Sequence, residues 1–195
     1  AAILDIYNSG GPIDVDIKSD RSPITVADRL AHSVIREYLG QTRIPLLSEE
    51  GREMLYAERK DWDLFWMVDP LDGTVEFIKG NGEFTVNIAL IENGSPVLGV
   101  VFAPALDRLF AGAVGLGSFV EDQGVRRNIA CRSEPAAGLT VVASRSHGDA
   151  DALASFLAGR KVASQTNAGS SLKLCLVAAG EADVYPRLGR TMEWD

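Results

Sequence analysis

Residues 66–78 read WMVDPLDGTVEFI. Residues 64–68 have the look of a buried strand, yet the run ends in an acid, Asp69, then a proline, a second acid, Asp72, and Gly73-Thr74. Pro70 fixes its own φ and holds Asp69 extended, so the chain leaves the strand on a set path. Gly73 permits a tight turn, and Thr74 supplies a hydroxyl and opens a short helix expected over residues 75–78. On that path both carboxylates can point into one small volume, with the Leu71 carbonyl between them as a third oxygen. An all-oxygen donor set at a strand end suits Mg²⁺, and the Gly73 and Thr74 amides at a helix start would suit a phosphate. The same residues also spell ordinary turn chemistry, an Asp-Pro turn followed by an Asp cap. The stretch alone leaves both readings open.

Three further acids bear on the choice. Glu49 and Glu50 follow a short strand expected over residues 44–48 and precede Gly51. An isolated Glu-Glu pair is usually a solvated loop, but two strands that both end in acids favour a ligand site, because such sites gather at strand ends in α/β sheets. Asp28 stands three residues after Thr25, the expected N-cap of a helix over residues 26–39. It can close a capping box, where Glu or Gln is usual, or it can orient a water together with the Thr74 hydroxyl.

The rest of the chain alternates strands and helices. Residues 84–91 alternate with a period of two, Asn93-Gly94 is a strong hairpin turn, and residues 96–102 return as a second strand. Residues 109–113 and 118–121 extend that sheet, and the polar stretch 51–63 reads as a mobile loop. Further strands are expected at 139–144 and 182–188, with helices at 150–157 and 171–179. The class is mixed α/β (α+β). The division falls into a metal-binding half, residues 1–138, and the start of a smaller half, residues 139–195, with Gly148 as another candidate break.

Composition narrows the function. At 195 residues the chain makes one large domain or two small ones. A formal net charge of −8 with no basic cluster argues against nucleic acid as a partner. No apolar run is long enough to span a membrane, and no signal peptide opens the chain. Cys131 and Cys175 have no paired spacing and read as reduced, cytosolic thiols. At the other end, Trp194 beside Asp195 is unusual for a free tail and suggests a chain cut, or lost from order, inside a packed element.

Several stretches carry a resemblance that runs nearly the whole length in order: SPITVAD (22–28), LSEE (47–50), residues 66–90, SRSH (144–147), GSSLK (169–173), YPR (185–187) and Trp194-Asp195. They resemble the inositol monophosphatase superfamily of Mg²⁺-dependent, lithium-sensitive phosphatases, and within it the CysQ-type 3'(2'),5'-bisphosphate nucleotidases. The resemblance implies a layered αβαβα sandwich whose C-terminal part is missing here. It implies two or three Mg²⁺ ions held by Glu49, Asp69, the Leu71 carbonyl, Asp72 and Asp195, and a phosphate-binding turn at Gly73 and Thr74. Asp28 and Thr74 match the pair that positions the attacking water, with Glu49 beside them in the catalytic set. His147, Ser170, Lys173 and Arg187 match positions that hold a nucleotide, and Lys18 matches a basic residue near the metals.

The implied reaction removes the 3'-phosphate of 3'-phosphoadenosine 5'-phosphate, with 3'-phosphoadenosine 5'-phosphosulfate as a second substrate, in sulfur assimilation and nucleotide recycling. The implied setting is the cytoplasm, with a homodimer and peripheral association at the inner face of the membrane left open. Two alternatives stand beside it: an inositol or sugar-phosphate phosphatase with the same metal chemistry, and an inert metal- or nucleotide-binding module.

Overall fold

In the computed structural model, which describes residues 2–11, 13–19, 22–146, 149–189 and 191–195, helix α1 (Ala2–Tyr7) is followed by an antiparallel pair, β1 (Val15–Ile17) and β2 (Pro23–Thr25). Strand β2 runs straight into helix α2 (Val26–Gly40), and Thr25 makes the switch. Its extended backbone and its side-chain bond from the Ala27 amide cap the helix, while the Asp28 carboxylate returns to the Thr25 amide. Both halves of a capping box are therefore present, with Asp in the place of the usual Glu.

Strands β3 (Leu46–Ser48), β4 (Leu64–Asp72), β5 (Thr85–Glu92), β6 (Ser95–Ala103), β7 (Arg108–Ala113), β8 (Gly117–Asp122) and β9 (Val125–Ile129) form one seven-stranded sheet in chain order. Only β3 and β4 are parallel; the other neighbours are antiparallel. Short helices α3 (Tyr56–Arg59) and α4 (Thr74–Lys79) flank β4. Asn93 and Gly94, at φ 49° and 76°, turn β5 into β6 with the left-handed pair that matches strand twist. A second, parallel sheet joins β10 (Leu139–Ser144) and β11 (Val162–Ala168) through α5 (Ala150–Leu157), and α6 (Leu172–Ala178) follows.

Cross-strand register sets the layers. Val86 stands opposite Phe102 and Asn87 opposite Val101, and neighbouring residues of a strand face opposite ways. On the Val86 side, Ile3, Ala27, Ala31, Leu71, Phe77 and Phe84 bring α1, α2 and α4 together. Tyr7 lies 5.4 Å from Phe77 and 4.9 Å from Phe84, and the two phenylalanines meet edge to face at 5.1 Å. On the Val101 side, Ala103, Phe110 and Val120 pack against Leu172 and Cys175 of α6. Val142, Ala168 and Ala182 form a third cluster against Leu176 and Val177 of α6. Helix α6 is thus the layer between the two sheets, and burial pushes the Cys175 thiol up to about 12, so it acts as a packing group.

Several expectations need correction. Residues 182–188 form no strand: a single bridge joins Val141 to Val184, Pro186 has no N–H for a ladder, and Asp183 is instead gripped by Arg132 at 2.7 and 2.8 Å. The stretch 51–63 contains α3. Strands β1, β9 and β11 escape sequence reading because their exposed residues lack the apolar alternation of a half-buried strand, and β2, three residues long, is too short to show a period. Among the described residues no helix is long and apolar enough to cross a membrane.

Candidate active site

Two acids three residues apart in a regular strand face opposite sides of the sheet. Asp69 and Asp72 do not, because the β4–β5 register shifts between them. Pro70, which cannot donate to the ladder, sits in that irregularity. Asp69 stands opposite Asn87 and Asp72 opposite Thr85, so all four lie on the sheet face that carries α6. The Leu71 amide then donates back to Asp69 Oδ1 at 3.1 Å, and the Leu71 carbonyl oxygen lies 3.4 Å from Thr74 Oγ1.

Asp195 joins them from the other end of the chain. One carboxylate oxygen from each of Asp69, Asp72 and Asp195 lies within 4.8 Å of the others. Asp69 is only 2% exposed. Burial, then Asp72 and Glu49, hold its carboxyl well above the ordinary value. Asp72 is raised to about 6 by burial and then by Asp195, against the pull of Lys173, the Ser171 amide and Asn87. An acidic group so crowded and so poor in counter-charge takes up protons or a cation, and its donors are all oxygen. The residues therefore fit a hard divalent cation.

Glu49 extends the β3–β4 ladder by one bond, its amide donating to the Val68 carbonyl at 3.1 Å, which brings its side chain beside Asp69. Lys18 Nζ lies 2.7 Å from Glu49 Oε1 and also bonds Glu50. Lys18 therefore spans both glutamates, one of which, Glu49, stands beside Asp69.

Asp28 closes the capping box and also bonds Thr74. It is 1% exposed; Oδ2 accepts from the Thr25 amide at 2.8 Å and the Thr25 hydroxyl at 2.6 Å, while Oδ1 accepts from Thr74 Oγ1 at 3.1 Å. One oxygen caps α2 and the other faces the site. Gly73 precedes Thr74 at φ +88°, where a Cβ would stand 3.0 Å from Ser170 Cβ and 3.3 Å from the Glu83 carbonyl oxygen. Glycine is required there on both counts.

The second half meets the acids through the turn 169–171. Ser170 is left-handed at φ 43°, the Ser171 amide donates to Asp72 Oδ2 at 2.6 Å, and the Ser171 hydroxyl meets Thr85 Oγ1 and Asn87 Oδ1, each at 2.8 Å. Ser170 Oγ accepts from Thr85 Oγ1 at 3.2 Å. Lys173, 5% exposed, donates to the Ser170 carbonyl and places its ammonium 5.3 Å over the Tyr185 ring. Burial lowers its pKa, which Asp72 opposes and Arg187 reinforces. Arg187 itself donates to Thr191 Oγ1 at 2.8 Å. His147 lies outside the described residues.

Sequence reading missed Thr85, Asn87 and Ser171. The signal for Asn87 was present, a polar residue at an inward position of an otherwise apolar alternation; its side chain is buried and its Oδ1 accepts from the Ser171 hydroxyl. A cavity of about 540 Å³, walled in part by Ile88, Val101, Leu174 and Trp194, reaches Asn87, Ser171 and Asp195.

Comparison with known proteins shows the family of the chain. The family model described as the inositol monophosphatase family matches residues 2–195. The 3'(2'),5'-bisphosphate nucleotidase CysQ of Salmonella typhimurium is 50% identical over 196 residues, spanning 100% of this chain and 78% of that protein. The protein of the same name from Escherichia coli (strain K12) is 48% identical with the same coverage. The crystal structure of CysQ from Bacteroides thetaiotaomicron, a bacterial member of the same family, matches with a TM-score of 0.83 at 43% identity, covering 100% of this chain and 77% of that one.

Proposed function

The chain belongs to the inositol monophosphatase family, and we propose that it is a Mg²⁺-dependent 3'(2'),5'-bisphosphate nucleotidase that converts 3'-phosphoadenosine 5'-phosphate to AMP and phosphate. The observation that carries this reading is the meeting of the Asp69, Asp72 and Asp195 carboxylates beside a buried lysine, Lys173. The acids favour a metal-assisted phosphatase. The lysine adds a cation where a polyol needs only hydroxyl partners, which favours a substrate with a second anionic group. The nucleotidase names of the relatives at 48–50% identity point the same way.

Asp69, Asp72, Asp195, Glu49 and the Leu71 carbonyl would hold the Mg²⁺ ions. When bound, the ions supply charge neutralisation for the phosphate and a lowered pKa for an attacking water. Thr74 Oγ1 donates its own proton to Asp28 Oδ1, so its lone pairs are left to accept from that water and orient it. The buried, doubly held Asp28 cannot swing away, because Oδ2 is fixed by Thr25. Gly73 and Thr74 lie where the phosphate would be cradled, and Lys173, Ser170, Arg187 and His147 would take the remainder of the nucleotide. Residues 1–138 would then be the metal-binding half, and residues 139–195 the half that closes the nucleotide side. A cytoplasmic setting would suit Cys131 and Cys175, which are not joined to each other.

The test is phosphate release from 3'-phosphoadenosine 5'-phosphate, inositol 1-phosphate and fructose 1,6-bisphosphate, each with Mg²⁺ and with EDTA. Mg²⁺-dependent release, fastest from the nucleotide, is the expected result. Faster release from inositol 1-phosphate would retain the metal chemistry and overturn the assignment of Lys173, Ser170 and Arg187.

A further inference from the structure

Between the acids and the second sheet lies a joint that the chemistry above does not use. Glu83 follows α4, and its carboxylate accepts from Arg145 Nε at 2.6 Å and from an Arg145 terminal nitrogen at 2.8 Å. The same carboxylate accepts from the Gly169 amide at 2.8 Å. Arg145, just past β10, spends its fork on both sides, since it also donates to the Asn167 carbonyl at 2.8 Å. The next residue is docked too: the Ser146 hydroxyl donates to Glu76 Oε1 at 2.6 Å, and Glu76 is 3% exposed. Two glutamates of one short stretch thus grip the two residues that lead into His147.

The fit leaves no slack at the turn. A Cβ on Gly169 would stand 2.6 Å from the Glu83 carbonyl oxygen and 2.6 Å from Glu76 Cγ. Immediately beyond, the Ser171 amide reaches Asp72 and the Ser170 carbonyl receives Lys173. Displacing Gly169 therefore displaces a hydrogen bond to an acid of the metal group and the anchor of the buried cation together.

We infer that Glu83 is a positioning residue, whose carboxylate, held by the Arg145 fork, sets the 169–171 turn and through it Asp72 and Lys173. A bidentate guanidinium–carboxylate pair gives geometric precision as well as attraction, which is what a turn between two sheets needs. Glu83 stands outside the Asp69–Asp72–Asp195 group and bonds Arg145 and the Gly169 amide. Its influence on substrate rests on the nucleotidase reading; its influence on the acids does not.

The test uses E83Q and R145M in the full chain, with two readouts. Binding of Mn²⁺ to the protein without substrate is measured by calorimetry, and kcat and KM for 3'-phosphoadenosine 5'-phosphate and inositol 1-phosphate are measured at saturating Mg²⁺. The expected result for E83Q is Mn²⁺ binding weakened about tenfold, and a KM for the nucleotide raised by a similar factor. R145M should move both in the same direction by less, because Glu83 keeps the Gly169 amide. Unchanged Mn²⁺ affinity in both variants, with only a lower thermal midpoint, would overturn the inference and leave the pair a structural bond. R145M replaces a part-exposed side chain and serves as the deciding variant if E83Q does not fold. If the wild type prefers inositol 1-phosphate, the nucleotidase reading fails, while the Mn²⁺ readout still decides the role of Glu83.

Discussion

The Ser171 amide donates to Asp72 Oδ2 at 2.6 Å, a bond that spans 99 residues of chain. It is one of three influences that hold down a carboxyl otherwise raised by burial and by Asp195. The bond is strong because its acceptor is charged, yet it leaves the acids short of positive charge, and the consequences can be measured.

The first concerns pH. The Asp72 carboxyl rises from 3.8 to about 6 on folding, and Asp69 rises as well. The folded protein then binds more protons than the unfolded chain between those values, so stability falls as pH increases. In EDTA, the denaturation midpoint should decline as pH rises from 4 through 6, and the raised Asp69 carboxyl adds to that decline. Added Mg²⁺ should remove most of that decline. A midpoint that rises across the same window without metal would show that these acids do not repel one another in the folded state.

A substitution at Asp69 separates charge from shape. Asp69→Asn removes a buried carboxyl that faces Asp72 and Glu49, so the metal-free protein should become more heat-stable. The stabilisation by Mg²⁺ seen in the wild type should shrink by mass action. Turnover should fall by roughly 10²–10³-fold, the scale of one lost preorganised electrostatic contact. Retention of near wild-type turnover with Mg²⁺ would remove Asp69 from the metal group.

Thr74→Val deletes the hydroxyl bonded to Asp28 at nearly constant volume. With the water no longer oriented, kcat should drop about a hundredfold while KM stays close to its original value. Circular dichroism should be unchanged, since Asp28 keeps the Thr25 bonds that cap α2. A change in KM alone would assign Thr74 to substrate binding instead.

Lys173→Met removes the cation that counters the rise of Asp72. The acidic limb of the activity profile should move to higher pH, because Asp72 then releases its proton less readily. KM for 3'-phosphoadenosine 5'-phosphate should increase by roughly tenfold, about 1.4 kcal/mol of lost binding, with a smaller change for inositol 1-phosphate. Equal changes for both substrates would place Lys173 with the acids rather than with the nucleotide.

Much of the frame is local and was readable along the chain. Asn93-Gly94 needs only its own left-handed φ values to turn β5 into β6, and Thr25 with Asp28 caps α2 within four residues. The acids could be picked out because Asp-Pro-x-Asp-Gly interrupts an apolar strand, a cost that local structure alone does not explain. Strand β9 was not readable: its Arg126 and Arg127 are exposed, so no apolar period marks it.

Residue types, spacing and local backbone preference therefore singled out Asp28, Glu49, Asp69, Asp72 and Thr74 as candidates for the chemistry, and Lys173 and Asp195 joined them only through the family resemblance. Tertiary structure decided which of them meet. The β4–β5 register slip puts Asp69 and Asp72 on one face, and the packing of α6 between two sheets buries Lys173 and delivers the Ser171 amide. The Arg145–Glu83 pair, 62 residues apart, sets the turn beside them. Register and burial depend on contacts between segments far apart in the chain, and no local preference encodes those distances.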